Sequence, residues 1–114
     1  MEVDMSGKFE LFKDKAGEFR FHLKAGNGEI VGSSEGYKAR TGAQNGIDSV
    51  IKNAPLDERY GVFEGKDGKW YFHLKAANHE IILASQGYAD KSGATAGTHA
   101  VKRACDGATM DDQV

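Results

Sequence analysis

The chain has 114 residues, of which 39% are hydrophobic and 28% are charged, and its formal net charge is −2. This length suits one domain rather than two of ordinary size. The slight acidic excess argues against a protein whose whole surface binds nucleic acid, since such proteins carry a basic excess. Cys105 is the single cysteine of the sequence, so no disulfide can form within the chain.

The N-terminal segment gives no sign of export. Residues 1–7 contain Glu2 and Asp4 and lack an apolar centre, so no secretory signal peptide is predicted. No stretch approaches the roughly 18 consecutive apolar residues of a membrane span. We therefore expect a cytoplasmic protein that does not associate with a membrane.

The dominant feature of the sequence is an internal repeat. When the chain is shifted by 51 positions against itself, two copies align without a gap. Residues 21–25 (Phe-His-Leu-Lys-Ala) fall on residues 72–76, which have the same sequence, and Tyr37 falls on Tyr88. Such self-similarity indicates two copies of one structural unit. The first copy spans residues 8–54 and the second spans residues 59–105.

Each copy is predicted to contain three strands followed by a helix. In the first copy, residues 8–13 indicate a short strand, and residues 18–25 alternate apolar with polar side chains, as a half-buried strand requires. The Gly-Asn-Gly sequence at residues 26–28 favours a tight hairpin into a third strand at residues 29–33. The second copy repeats the same pattern.

A helix follows the third strand in each copy. Thr41 and Gln44 form a capping-box pattern at the predicted start of the first helix, and Ser92 holds the equivalent position in the second copy. Gly46 and Gly97 lie inside the two helices, where glycine costs about 1 kcal/mol relative to alanine. Their presence in both copies indicates that another backbone passes close to each helix.

One copy alone is too small to bury its apolar side chains well, since units of roughly 50 residues are marginal without disulfides or metals. We therefore expect an α+β fold in which both copies share one core, as a single domain at residues 7–105. The predicted architecture is one antiparallel sheet of about six strands with both helices on one face. Residues 1–6 and 106–114 are expected to be disordered tails.

Three segments of the first copy resemble the YegP-like family of small bacterial proteins. They are Phe-His-Leu-Lys-Ala-x-Asn-x-Glu-Ile at residues 21–30, Ser-x-Gly-Tyr at residues 34–37 and Gly-Ala-x-x-Gly at residues 42–46. The resemblance covers nearly the whole chain and both copies. It implies two β-β-β-α units in a single sheet, with the C-terminal helices exchanged between units.

The sequence departs from the family pattern at Gly42 and Gly93, where family helices more often begin with Ser or Thr. This departure concerns the first helical residue and leaves the implied fold unchanged. The family has no established biochemical function, so the resemblance assigns no functional residues.

The sequence carries no recognisable catalytic or metal-binding signature. His22 and His73 are repeat-equivalent and would share a metal only if their strands were neighbours. The alternative interpretation is that both are outward-facing residues of their strands, with no ligand. Cys105 and His99 fall on different faces of the second helix, so a buried structural thiol is favoured over a nucleophile with its base. We expect no enzymatic activity, no cofactor and no metal.

The starts of the two helices are candidate anion-binding sites. Arg40 with Thr41, and Lys91 with Ser92, place a cation and a hydroxyl where backbone amides point outward. Ordinary helix capping explains both hydroxyls, and it is the favoured interpretation.

The polar face of the predicted sheet is the main candidate for function. It is expected to carry six basic or aromatic side chains from both copies: Arg20, His22, Lys24, Tyr71, His73 and Lys75. Phe12 and Phe63 are expected to join them, and Glu10 and Glu29 to dilute the charge. Cations among aromatic rings bind single-stranded nucleic acid in several folds, although a solvated sheet face also carries such residues without binding anything.

From these features we expect a monomeric, non-enzymatic module that binds an unidentified protein partner through the polar face or the edges of the sheet. Single-stranded nucleic-acid binding through the same face is the alternative.

Overall fold

The structure is a computed structural model that describes residues 6–114. Its strands are β1 (Lys8–Lys13), β2 (Phe19–Lys24), β3 (Ile30–Ser33), β4 (Tyr60–Glu64), β5 (Trp70–Lys75), β6 (Ile81–Ala84) and β7 (Thr109–Asp112). Its helices are α1 (Arg40–Asn53) and α2 (Lys91–Cys105), and a short 3-10 helix at Asp57–Arg59 precedes β4. The predicted α+β class and the repeated β-β-β-α unit are confirmed. Neither helix in the described part of the chain is long and apolar enough to cross a membrane.

The strands form one sheet in the order β4-β5-β6-β3-β2-β1-β7. Neighbouring strands within each unit are antiparallel, and the two units meet where Ser33 of β3 pairs with Ala84 of β6. These two residues are repeat-equivalent, so the pseudo-twofold axis that relates the units passes through their pair. The strand order could not be predicted from the sequence.

The C-terminal segment corrects the prediction that residues 106–114 form a disordered tail. β7 pairs with β1 in parallel, so the sheet has seven strands and is not wholly antiparallel. The Gln113 amide donates a hydrogen bond to the Leu11 carbonyl, and Asp112 forms an ion pair with Arg40 at the start of α1. These bonds hold a segment whose acidic composition suggested only solvation. The predicted disorder of residues 1–5 lies outside the described residues.

The core contains side chains of both units. Phe21 and Leu23 of β2, and Phe72 and Leu74 of β5, are fully buried, as strand alternation predicts for one face of each strand. They pack into a single cluster with aliphatic side chains of both helices. Each helix contacts strands of both units, so neither unit buries its apolar side chains alone.

The helices begin before the residues that were predicted to cap them. Asp90 caps α2, and its carboxylate accepts hydrogen bonds from the Gly93 amide at 2.8 Å and the Ser92 hydroxyl at 3.0 Å. Ala39 stands at the cap position of α1 and makes no side-chain bond there. The prediction that Thr41 and Ser92 cap the helices is wrong, because both lie inside the first turn.

The two glycines inside the helices lie against aromatic side chains. A Cβ added at Gly46 would lie 2.6 Å from the Tyr37 hydroxyl, and one at Gly97 would lie 2.5 Å from the Tyr88 hydroxyl. The prediction that another backbone passes close to these glycines is wrong, because the nearest atoms belong to aromatic side chains. Each ring packs over the start of the helix that follows it.

Candidate functional site

A row of paired residues crosses the sheet through both histidines. His22 pairs with Ser33, Ser33 with Ala84, and Ala84 with His73. Because neighbouring strands lie about 4.8 Å apart, the backbones of the two histidines are roughly 14 Å apart. The idea that His22 and His73 share a metal is therefore wrong, since β3 and β6 separate their strands.

On strands β1 to β6, the side chains that alternate with the buried side chains form a surface that we call the polar face. It consists of the six predicted residues and their same-face neighbours: Lys8, Glu10, Phe12, Arg20, His22, Lys24, Ser33, Phe63, Tyr71, His73, Lys75 and Ala84. The register of the sheet brings Arg20, His22 and Lys24 together on β2, and Tyr71, His73 and Lys75 together on β5. The two sets stand on either side of β3 and β6.

A groove follows the junction between β3 and β6. In the described residues these strands pair through Ser33 and Ala84 alone, and a cavity of about 420 Å³ lies along them. Its lining includes Ile30 and Ile81, which are repeat-equivalent and 40% and 43% exposed. Together with the other apolar residues of the lining, these two exposed isoleucines form an apolar surface at the centre of the sheet.

An aromatic ring flanks each histidine of the polar face. The ring centroids of Phe12 and His22 lie 4.7 Å apart, and those of Phe63 and His73 also lie 4.7 Å apart. Phe63 stacks on Tyr71 as well, at 5.9 Å. The prediction that Phe12 and Phe63 join the face is confirmed by these contacts.

Both imidazoles lose part of their affinity for protons. Burial lowers the pKa of His22, an effect that Glu10 opposes and Lys24 reinforces. Burial and the neighbouring Lys75 ammonium lower the pKa of His73. Neutral imidazoles give the polar face less positive charge than the sequence suggests.

Two basic side chains of β2, Arg20 and Lys24, are paired with carboxylates. Lys24 Nζ lies 3.0 Å from Glu10 Oε1. Arg20 Nε lies 2.6 Å from Asp14 Oδ2, and this contact is the largest cause of the lowered pKa of Asp14. The β2 part of the polar face is therefore close to electrically neutral.

The second unit differs in charge from the first. Gly61 stands at the position equivalent to Glu10, so β4 offers no carboxylate there. The structure records no ion pair for Lys75 within residues 6–114. Tyr71 stands where the first unit has Arg20. The β5 part of the polar face thus carries one ammonium group without a partner among the described residues.

The two predicted anion sites at the helix starts are also unequal. Arg40 forms its ion pair with Asp112, so the chain's own C-terminal strand supplies a carboxylate at the start of α1. Lys91 at the start of α2 has no ion pair recorded in the described part of the chain. The Ser92 hydroxyl donates to Asp90, which serves helix capping.

Cys105 is a buried thiol in the core cluster. Burial raises its pKa to about 12, so the thiol stays protonated at neutral pH. Because the thiolate is the reactive form of cysteine, this environment favours the structural interpretation.

In each unit one serine, Ser34 or Ser85, holds the end of the third strand, a role that the sequence did not reveal. Ser34 Oγ accepts a hydrogen bond from the Phe21 amide at 2.9 Å and donates one to the carbonyl of the next residue at 2.8 Å. Ser85 makes the same two bonds, accepting from the Phe72 amide. The sequence did show serine at both equivalent positions, although it did not indicate which hydrogen bonds these serines form.

Comparison with known families finds two matches to one domain model. The family is described as a domain of unknown function (DUF1508), and it matches residues 14–60 and 66–112. A UPF0339 protein from the ptx operon 5′ region of Stutzerimonas stutzeri is 50% identical over 98 residues, which cover 86% of this chain and 88% of that protein. The UPF0339 protein YegP of Escherichia coli K12 is 50% identical over 98 residues, which cover 86% of this chain and 89% of YegP.

Solved structures of relatives have the same fold. The solution NMR structure of Escherichia coli YegP matches with a TM-score of 0.90 at 46% identity, covering 98% of this chain and 97% of that one. That of a UPF0339 protein from Shewanella oneidensis matches with a TM-score of 0.87 at 44% identity, covering 95% and 92%. These names state no activity, so the comparisons establish ancestry and fold. Two tandem matches and relatives at 50% identity over most of its length show that the chain belongs to the DUF1508 family, which includes the UPF0339 protein YegP.

Proposed function

We propose that the chain is a non-enzymatic protein-interaction module that binds a protein partner through the polar face. In this proposal both helices cover the opposite side of the sheet, which leaves the polar face open to the partner. The observation that carries the proposal is the central groove of about 420 Å³ beside the exposed side chains of Ile30 and Ile81. An apolar centre within a polar and aromatic surround matches the organisation of protein interfaces.

The surroundings of the groove support a protein ligand of definite shape. The pair Phe12–His22 stands on one side of the groove and the pair Phe63–His73 on the other. The two histidine backbones lie roughly 14 Å apart, a width that admits a partner helix about 10 Å in diameter. Aromatic side chains at these positions would flank such a helix along both sides.

Charge makes the same face less suited to single-stranded nucleic acid, the alternative function. A phosphate backbone would have to displace Glu10 from Lys24 and Asp14 from Arg20 before it met either of the two β2 cations. Proteins that bind single strands instead present unpaired cations along a groove. Among the described residues, Lys8 and Lys75 have no recorded ion pair on this face, and Lys75 provides the test that separates the two functions.

The test is a capture experiment with the purified chain and a lysate of its source organism. Ser33→Arg would fill the groove at the pseudo-twofold axis, and Thr95→Arg, which adds the same charge at an exposed position of α2, is the matched control. We expect a discrete protein that survives nuclease treatment, that Thr95→Arg retains and that Ser33→Arg loses while keeping the circular dichroism spectrum of the native chain.

Two outcomes would count against the proposal. Capture that Ser33→Arg leaves unchanged would show that the groove is not used. Capture of nucleic acid that weakens steeply with salt and with Lys75→Ala would instead favour the alternative, since each lost phosphate contact reduces the salt dependence of binding.

A further inference from the structure

The two ends of the sheet differ although the repeat makes them equivalent. β1 is the outer strand of the first unit, and β7 covers it. β4 is the equivalent strand of the second unit, and within residues 6–114 no strand covers it. We propose that the β4 edge binds an extended acidic segment of a partner protein, in parallel, as β1 binds the chain's own C-terminal strand. This site uses the backbone groups of the β4 edge, and Lys75 is the residue that it shares with the polar face.

The backbone of β4 directs hydrogen-bonding groups outward at Val62. Val62 pairs with Phe72, whose amide donates to Ser85 Oγ and whose carbonyl accepts from the Ser85 amide. Because Phe72 directs its groups towards β6, the amide and carbonyl of Val62 point to the free edge. Leu11 is the equivalent residue of β1, and its carbonyl accepts the Gln113 amide of the C-terminal segment at 2.9 Å.

Charge at the start of α2 favours an acidic occupant. On the first edge, Asp112 of β7 forms its ion pair with Arg40. Lys91 stands at the equivalent position of the second unit, and no ion pair is recorded for it within residues 6–114. A strand placed on β4 in the register of β7 would bring a carboxylate at the position of Asp112 to Lys91.

Gly61 provides a second reason for an acidic segment. On the first edge, Asp111 lies opposite Glu10, whose carboxylate is already paired with Lys24. On the second edge Gly61 removes that acidic neighbour and leaves space above the backbone. The Lys75 ammonium on the next strand can then reach across Gly61 to a carboxylate at the position of Asp111. Two consecutive acidic residues would therefore meet one cation on each face of the sheet.

The chain's own C-terminal strand cannot reach β4 from where α2 ends. The Ala104 carbonyl accepts a hydrogen bond from the Gly7 amide, and the Gly7 carbonyl accepts one from the Thr109 amide, which ties the end of α2 to the first edge. β4 is the strand at the far side of the sheet, roughly 29 Å away at about 4.8 Å per strand. Residues 109–112 are therefore held at the first edge, and in this proposal a partner protein supplies the strand that binds β4.

The test uses a synthetic peptide with the sequence of residues 107–114 as the probe, titrated into the full chain and followed by backbone amide chemical shifts. We expect saturable shifts at Tyr60–Glu64 and at Lys91. N-methylation of the peptide residue that corresponds to Gln113 should abolish binding, because that amide donates to the edge. N-methylation of the residue that corresponds to Asp112 should leave binding unchanged, because its amide points away from the edge.

Charge variants of the protein show whether the peptide uses the β4 edge. Lys91→Glu should weaken peptide binding about tenfold, since it places a like charge at an acidic ligand. Arg103→Glu, the same kind of charge reversal at an exposed position of the same helix, should leave the affinity unchanged. Ser33→Arg should also leave it unchanged, so that failure of the polar-face proposal would not affect this result.

Three outcomes would overturn the proposal. Shifts confined to β1 and β7 would show that the peptide only competes with the native C-terminal strand. An absence of saturable shifts at millimolar peptide would show that the edge does not accept a strand. Concentration-dependent shifts at Tyr60–Glu64 without peptide would show that the edge pairs with a second copy of the chain instead.

Discussion

The Tyr37 hydroxyl occupies the space that a side chain at position 46 would fill. A Cβ at Gly46 would lie 2.6 Å from the Tyr37 hydroxyl oxygen and 3.1 Å from a ring carbon of Phe21. Two reciprocal backbone hydrogen bonds tie Tyr37 to Phe19, and its ring stacks on Phe21 at 6.4 Å. Packing between the helix and the strand-helix turn, rather than backbone conformation, therefore requires glycine at this position.

Gly46→Ala should destabilise the chain although alanine is the better helix former by about 1 kcal/mol. The new methyl group would press on a ring that is held by the backbone bonds of Tyr37 and by its stack on Phe21, and we expect a net loss of about 1–2 kcal/mol in the free energy of unfolding. Urea denaturation measures this loss. Tyr37→Phe removes the hydroxyl oxygen, which is the atom nearest to the new methyl group. Gly46→Ala should therefore cost less stability in the Tyr37→Phe variant than in the native chain. An equal cost would mean that another contact is responsible.

Amide hydrogen exchange should distinguish Leu11 from Val62, its repeat equivalent. Both residues direct their N–H groups to an outer edge, but only Leu11 is covered by β7. The Leu11 amide should exchange slowly and the Val62 amide rapidly in the same sample, because solvent reaches an uncovered edge amide without any opening of the sheet. Slow exchange at Val62 would indicate that this edge is covered in the free protein.

Deletion of residues 108–114 provides the control for this difference. It should raise the exchange rate of the Leu11 amide towards that of Val62. The amide of Val50, which lies inside α1, should keep its rate because its hydrogen bond is internal to the helix. A general increase at all three amides would instead indicate that β7 is needed for global stability.

Local patterns carried most of the prediction of the unit. Alternation of apolar with polar side chains at residues 18–25 indicated β2, which the structure places at Phe19–Lys24. Because the second copy repeats this alternation, the same prediction applied to β5. Period-two alternation is imposed by the strand backbone itself, so it can be read wherever one face of a strand is buried.

Long-range relationships could not be predicted, and they determine the candidate sites. β7 has no apolar alternation, and what holds it is backbone pairing with β1 and the ion pair of Asp112 with Arg40, far away in sequence. The distance between His22 and His73 follows from strand order, which no local pattern encodes. The helix caps failed for a different reason: Ser92 suits the cap position of α2, but Asp90 just before it suits that position as well, and the structure uses Asp90.

Ser34→Ala should destabilise the chain more than Ser85→Ala. Each change leaves a strand amide, that of Phe21 or of Phe72, without its acceptor. An unsatisfied buried amide costs about 1–3 kcal/mol, and Ser34 is 6% exposed whereas Ser85 is half-buried, so water can replace the lost acceptor more easily at Phe72. Paired urea denaturation curves of the two variants measure the difference. Equal losses would contradict the difference in solvent access between the two amides.

The lowered pKa values of His22 and His73 predict how stability changes with pH. Burial holds both pKa values in the folded chain below the ordinary value of 6.5, so in the interval below pH 6.5 the unfolded chain binds more protons than the folded one. The contribution of these groups to stability is therefore complete above pH 6.5 and declines as the pH falls from 6.5 through the folded pKa values.

Nuclear magnetic resonance titration of the two imidazoles should give pKa values below 6.5. The double variant His22→Gln/His73→Gln should lose free energy of unfolding less steeply than the native chain between about pH 6.5 and about pH 5, a comparison that cancels the carboxylates common to both chains. A pKa at or above 6.5 for either residue, or equal slopes in the two chains, would contradict the burial that the structure assigns to the polar face.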